Sequence, residues 1–124
     1  MKLRTNEFDR AVDRAVRRIP EEIRSHLENV VIMVRDRPTW DMLEDVGAPP
    51  GETLLGLYQG AALTERSFFD PVEYPDTIFV FQEPLEEMCE TLEELEKEIE
   101  ITVVHEVAHF LGIEEERLAE LGYE

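Results

Sequence analysis

Positive charge is scarce in this sequence, and it runs out early. Up to Arg37 there are nine Lys/Arg against seven Asp/Glu; beyond it there are three against twenty-three. The formal net charge is -18. Such a surface repels phosphate backbones, so nucleic acid is not an expected partner. Arg10, Arg14, Arg17 and Arg18 are the cationic exception. They read as a solvated helix face pairing with its own acids.

Cysteine is almost missing as well. Cys89 alone cannot close an intrachain disulfide, and it fits a reducing compartment as a small buried hydrophobe. No apolar run approaches the roughly 20 residues that span a bilayer, so no membrane partner is expected. The opening "MKLRTNEFDRAVDRAVRRIP" is charged throughout and has no apolar core of a secretory signal. The cytoplasm is the simplest location. No long linker, internal repeat or low-complexity tract interrupts the chain, and one domain over residues 1–124 is expected.

What is present is enough for a core, since 43% of residues are hydrophobic. Phe8, Ala11, Val12, Ala15, Val16 and Ile19 recur at helical spacing and predict a first helix over Asn6–Ile19, capped by Thr5 or Asn6 and stopped by Pro20. "PEEIRSHL" predicts one or two further turns. "VVIMV" (30–34) reads as a buried strand. "RPTWDMLEDVGAPPG", with three prolines and two glycines, reads as an irregular loop. "TLLGLYQGAAL" predicts a second strand, in which Gly56 and Gly60 mark a bend or a close approach. "ERSFFDPVEYP" reads as a connection and "DTIFVFQ" as a third strand, followed by a short helix in "PLEEMCE".

Thr91 with Glu94 is a capping box for a long helix running to about Leu111 and ending at Gly112. "EEERLAEL" predicts a short last helix. This order, helix then strands then helices, is α+β.

The long helix carries the chemistry, in "HEVAHFLGIEEER" (105–117). His105 and His109 are four residues apart, so both rings project from one face, one turn apart. That suits two imidazole nitrogens on a single zinc at about 2.0–2.1 Å. Glu106 is rotated by about 100° from His105 and lies beside the metal without ligating it. There it acts as a general base on water and then as an acid to the leaving amine. Gly112 lets the helix stop and the chain fold back, which brings Glu115 over the metal. Two histidines and a carboxylate leave one position open, as a hydrolytic zinc requires. Glu114 and Glu116 are close rivals of Glu115 as third ligand, and Glu120 a distant one. The alternative for the two histidines is a helix-face pair bonded to neighbouring acids; for Glu115 it is a solvated first-turn residue.

"HEVAHFLGIEE" matches H-E-x-x-H-x-x-G-x-x-ligand of the zincin metallopeptidases, with glutamate where His or Asp is usual. With "LLGLYQGAALTERS", "YPDTIFVFQEPL" and "ITVVHEVAHFLGIEEERLAELG", the chain resembles the small bacterial zincin-like metallopeptidases from about Leu54 onward. The resemblance implies a minimal zincin-like fold: a small mixed sheet of about three to four strands packed on an N-terminal helix and a C-terminal HExxH helix. It also implies one zinc ion and a peptide or protein substrate. No methionine follows Glu115, so the Met-containing turn of metzincins is not expected, nor much of the substrate-binding wall of a full-size protease.

The leading expectation is therefore a zinc-dependent peptidase. Zinc would be held by His105, His109 and Glu115, Glu106 would be the base, and substrate would lie extended along "TLLGLYQGA". The rival is a metal-binding or interaction module without turnover. A metal-dependent ribonuclease ranks below both, because the third histidine of such enzymes is missing and the surface is acidic. Tyr123 reads as packing on the last helix rather than as an oxyanion donor. Trp40, Phe68, Phe69 and Tyr74 read as core or loop anchors.

Overall fold

In a computed structural model, residues 1–60 and 76–123 are described. Helix α1 spans Thr5–Arg18 and buries Phe8, Ala11, Val12 and Ala15. Its cap is not a Thr or Asn side chain. Instead Glu7 reaches back to accept the Arg4 N–H at 3.2 Å. A short helix α2 (Glu21–Arg24) and a 3-10 turn (Ser25–Leu27) lead into strand β1 (Val30–Arg35).

The segment read as an irregular loop contains helix α3, Trp40–Asp45. The hydroxyl of Thr39 accepts the Met42 N–H at 3.2 Å and starts it; Gly47, at φ 69°, ends it. Turn residues flank the helix and dominate the composition, which hid it. Trp40 is no anchor: it is 84% exposed. Phe68, Phe69 and Tyr74 lie outside the described residues.

Strands β2 (Gly56–Gln59) and β3 (Asp76–Phe81) complete a mixed three-stranded sheet of order β1-β3-β2. β1 runs parallel to β3, with Ile32 opposite Ile78 and Val34 opposite Val80. β2 runs antiparallel to β3, with Leu57 opposite Phe79 and Tyr58 opposite Ile78. The expected second strand is shorter than "TLLGLYQGAAL", whose last three residues lie outside the described ones. "VVIMV" is half-exposed rather than buried, because β1 occupies a sheet edge. The centre goes to β3, where Ile78, Val80 and Phe81 are fully buried.

Helix α4 (Gln82–Met88) follows β3 directly and tolerates Pro84 in its first turn. Cys89 follows, buried in the core, where burial pushes its thiol above the usual range. Helix α5 (Leu92–Leu111) is the backbone of the fold. The hydroxyl of Thr91 accepts the Glu94 N–H at 3.1 Å, while the Glu94 carboxylate accepts the Glu90 N–H at 3.2 Å. At the other end Gly112 takes φ 71°, and Ile113 N–H reaches back to the Ala108 carbonyl at 2.9 Å. This is a Schellman stop. Helix α6 (Glu115–Glu120) closes the described chain.

α1 and α5 pack together over the sheet face formed by Ile32, Ile78 and Val80, and Leu95, Ile99, Val103, Val104 and Val107 of α5 are buried there. Two of the arginines of α1 have one acid in common. Arg14 Nε and Arg18 Nη2 both bond Glu96, whose side chain is buried, Arg18 at 2.7 Å. The carboxylate is on α5, not on α1 itself. None of the described helices is long and apolar enough to cross a membrane.

β2 approaches α5 so closely that only glycine fits at position 56. A Cβ there would lie 2.5 Å from Thr102 Cγ2 and 3.1 Å from the Phe79 carbonyl oxygen. Gly56→Ala is therefore expected to cost about 1–3 kcal/mol by overpacking. Thr102→Ser, which removes the clashing methyl, should recover a large part of that loss. Urea unfolding of the two variants and their combination measures this.

Candidate metal centre

His105 and His109 lie on the last turns of α5, and Glu106 sits between them in sequence. All three line a cleft of about 630 Å³ between α5 and the C-terminal segment. Glu115, Glu116 and Tyr123 border it from the other side, with Ile113 and Leu118 as an apolar wall. Of the glutamates weighed as third ligand, Glu115 and Glu116 line the cleft. Glu114 is the N-cap of α6, and Glu120 pairs with Arg117 at 2.8 Å.

The Nε2 of His105 is buried, and among the described residues it has no hydrogen-bond partner. A buried nitrogen left without a partner costs free energy, so it points to a group that would meet it. This donor chemistry fits a zinc ion: two imidazoles one helical turn apart with carboxylates opposite. Among the described residues, however, no three His, Cys, Asp or Glu groups are gathered tightly enough to hold a metal as they stand. The histidine pair is placed by one helix, whereas the facing carboxylates arrive from another element beyond the Gly112 turn.

Glu106 is held by the sheet. Its Oε1 accepts the backbone N–H of Tyr58 at 3.0 Å. In an antiparallel strand successive amides point to opposite sides. Tyr58 N–H is turned away from β3, so the Glu106 carboxylate sits at the outer edge of β2. Burial raises its pKa above the usual carboxylate range. The Tyr58 N–H and the neighbouring His109 and His105 offset part of this.

Tyr58 itself is fixed twice. Its ring stacks on Phe110 at 4.1 Å between centroids, and its hydroxyl donates to Asp76 Oδ2 at 2.7 Å. Burial, then the bond to Asp76, pushes its pKa up to about 12. Sequence reading missed Tyr58, Phe110 and Asp76 as supports of the site. The available signal was the glycine pair: a Cβ on Gly60 would lie 3.3 Å from Phe110 Cε2, as Gly56 crowds Thr102. Tyr123 is also buried, and its pKa too is raised to about 12, by burial and a hydrogen bond to Glu100.

A model of the zincin-like metallopeptidase family matches residues 27–123, so the chain belongs to that family. Among solved structures, a conserved hypothetical protein from Thermo thermophilus superimposes with a TM-score of 0.59 at 23% identity. The match covers 94% of this chain and 98% of that one, and it bears on the fold alone. No curated protein matches.

The two supported tyrosines give a pH signature. Each phenol ionises near 12 in the folded chain against about 10 unfolded, so the folded state holds more protons between those values. Stability is thus expected to be intact below about pH 10 and to fall as pH rises toward 12. Phenolate absorbance should show two tyrosines titrating late, and Tyr58→Phe should remove one of them.

Proposed function

We propose that this protein is a zinc-dependent peptidase whose metal is held by His105, His109 and Glu115, with Glu106 as the general base. The observation that carries this reading is the buried, unpartnered Nε2 of His105 in a cleft shared with His109, Glu106 and Glu115. Bound zinc would supply a Lewis acid that polarises a carbonyl and makes water a nucleophile near neutral pH.

The chain's own residues do the rest. With Oε1 of Glu106 fixed by Tyr58 N–H, Oε2 is the oxygen left to take a proton from water and return it to the leaving amine. Burial raises the pKa of that carboxyl, which makes its carboxylate a stronger base toward the water proton. Among the described residues β2 pairs on one side only. Glu106 already takes the outward Tyr58 N–H, so an extended peptide would pair with the remaining outer-edge groups of β2, beside that carboxylate.

One observation favours the alternative, a metal-binding or interaction module without turnover: no three donors are gathered as they stand among the described residues. The glutamate base argues the other way, since a structural site has no use for one and is closed by four ligands.

Competition titration with zinc, followed by a peptide-library digest, separates the two. The wild type should bind one zinc, and Glu115→Ala should lose at least tenfold in affinity, about 1.4 kcal/mol. Glu106→Gln should keep the zinc and lose hydrolysis by at least about a hundredfold. Tight zinc with no cleavage of any peptide would transfer the assignment to the module. Equal affinity of wild type and Glu115→Ala would remove Glu115 from the ligand set.

A further inference from the structure

Residues 38–60 contain four Asp/Glu and no Lys, Arg or His. The four are Asp41, Glu44, Asp45 and Glu52, and all are exposed. Among the described residues their carboxylates make no ion pair and no hydrogen bond. Other exposed acids find an arginine, as Glu83 and Glu87 do with Arg37. The charge of this segment is therefore uncompensated where it stands.

Amid these acids is the chain's single tryptophan, Trp40, 84% exposed. A lone apolar side chain on a surface needs no explanation, but Trp40 is not alone. It lines a groove of about 430 Å³ with Pro38, Leu43, Pro50, Glu44 and Glu52. The walls are set by local bonds. Thr39 caps the start of α3, and beyond its end Ala48 N–H reaches back to the Leu43 carbonyl at 3.0 Å. Opposite, Glu52 N–H closes a tight turn on the Pro49 carbonyl at 3.1 Å, with Pro50 and Gly51, at φ 86°, between them. Prolines and closed turns have little freedom to lose, so a ligand meets a surface already formed. Arg37 is the one base among the lining residues, and Glu83 and Glu87 hold its guanidinium.

An aromatic face beside unpaired carboxylates is the chemistry that receives a cation. The indole face attracts a guanidinium or ammonium more strongly than any other side-chain ring. Carboxylates add charge-assisted hydrogen bonds, for which the planar guanidinium fits best. The same carboxylates repel phosphate, and with it nucleic acid and anionic lipid. A purely apolar partner would cover them without pairing them, which costs free energy. We infer that the Trp40 groove is a docking site for an arginine-bearing segment of another protein, with the guanidinium laid on the indole and bonded by Glu44 or Glu52. No residue lining this groove lines the cleft of the histidines, and the inference does not depend on a metal there.

Trp40 reports on its own site by fluorescence. The probe is an acetylated, amidated Gly-Arg-Gly-Arg-Gly peptide. It should change Trp40 emission saturably, with affinity falling about threefold between about 50 and about 300 mM salt. The same peptide with citrulline for arginine keeps the shape and loses the charge. It should bind about tenfold more weakly. A dye-labelled copy followed by anisotropy reads the variants. Trp40→Ala should lose about fivefold, and Glu44→Gln combined with Glu52→Gln about as much. All three positions are exposed, so the unfolding midpoint should stay put and separate lost binding from lost folding. Glu28→Gln with Glu93→Gln removes the same charge from exposed positions outside the groove and should change affinity by less than about twofold. Equal losses from the two acid pairs would overturn the inference, because the attraction would then belong to the whole acidic surface. Equal binding of the citrulline peptide would also overturn it and leave a merely apolar groove. Emission that changes with protein concentration and not with peptide would give the groove to a second copy of this chain, against the inference.

Discussion

The structure depends on how closely β2 lies against α5. At Gly56 the strand backbone comes within reach of Thr102 and Glu106 side chains, leaving no room for a Cβ. Two residues on, the Tyr58 amide meets the Glu106 carboxylate. This one seam joins the sheet to the helix that carries both histidines. It sets the height of the sheet above the helix, and so the depth at which Glu106 is buried. It also puts the one described strand edge near the cleft next to the group proposed to move protons. Tyr58 stacking on Phe110 and bonding Asp76 locks the same seam from its far side.

The other wall of the cleft is built on a different principle. Gly112 turns the chain with a left-handed residue, and a six-residue helix then stands opposite the histidines. The helix wall is held by apolar packing along α5 and by Glu96 between two arginines of α1. The facing wall is held by Leu118, Tyr123 and one exposed ion pair, Arg117 with Glu22. One wall is part of a twenty-residue helix and the other is a six-residue one beyond the Gly112 turn.

Much of this was legible beforehand where the signal is local. The Thr91–Glu94 cap, the run of the long helix and its stop at Gly112 all appear as read, because caps and periodicity act within a few residues. The α+β class and the small mixed sheet appear as expected. Elsewhere local reading failed for identifiable reasons. α3 was obscured by prolines and glycines that in fact flank it. "VVIMV" has the composition of a central strand, yet strand order gave the centre to β3. Arg14 and Arg18 of α1 found their acid on another helix, which helical periodicity cannot foresee.

The sequence by itself determined the chemistry on offer: two imidazoles one turn apart, a carboxylate beside them, and a glycine that turns the chain back. Those follow from helix geometry, which is a property of neighbours in the chain. Only the tertiary structure decided that Glu115 and Glu116 line the cleft with the histidines, that the Tyr58 amide holds Glu106, and that the Tyr58 ring lies on Phe110. Each of these joins residues on different elements of the fold. Their meeting is set by how sheet and helices pack, not by any pattern that a local stretch of chain can carry.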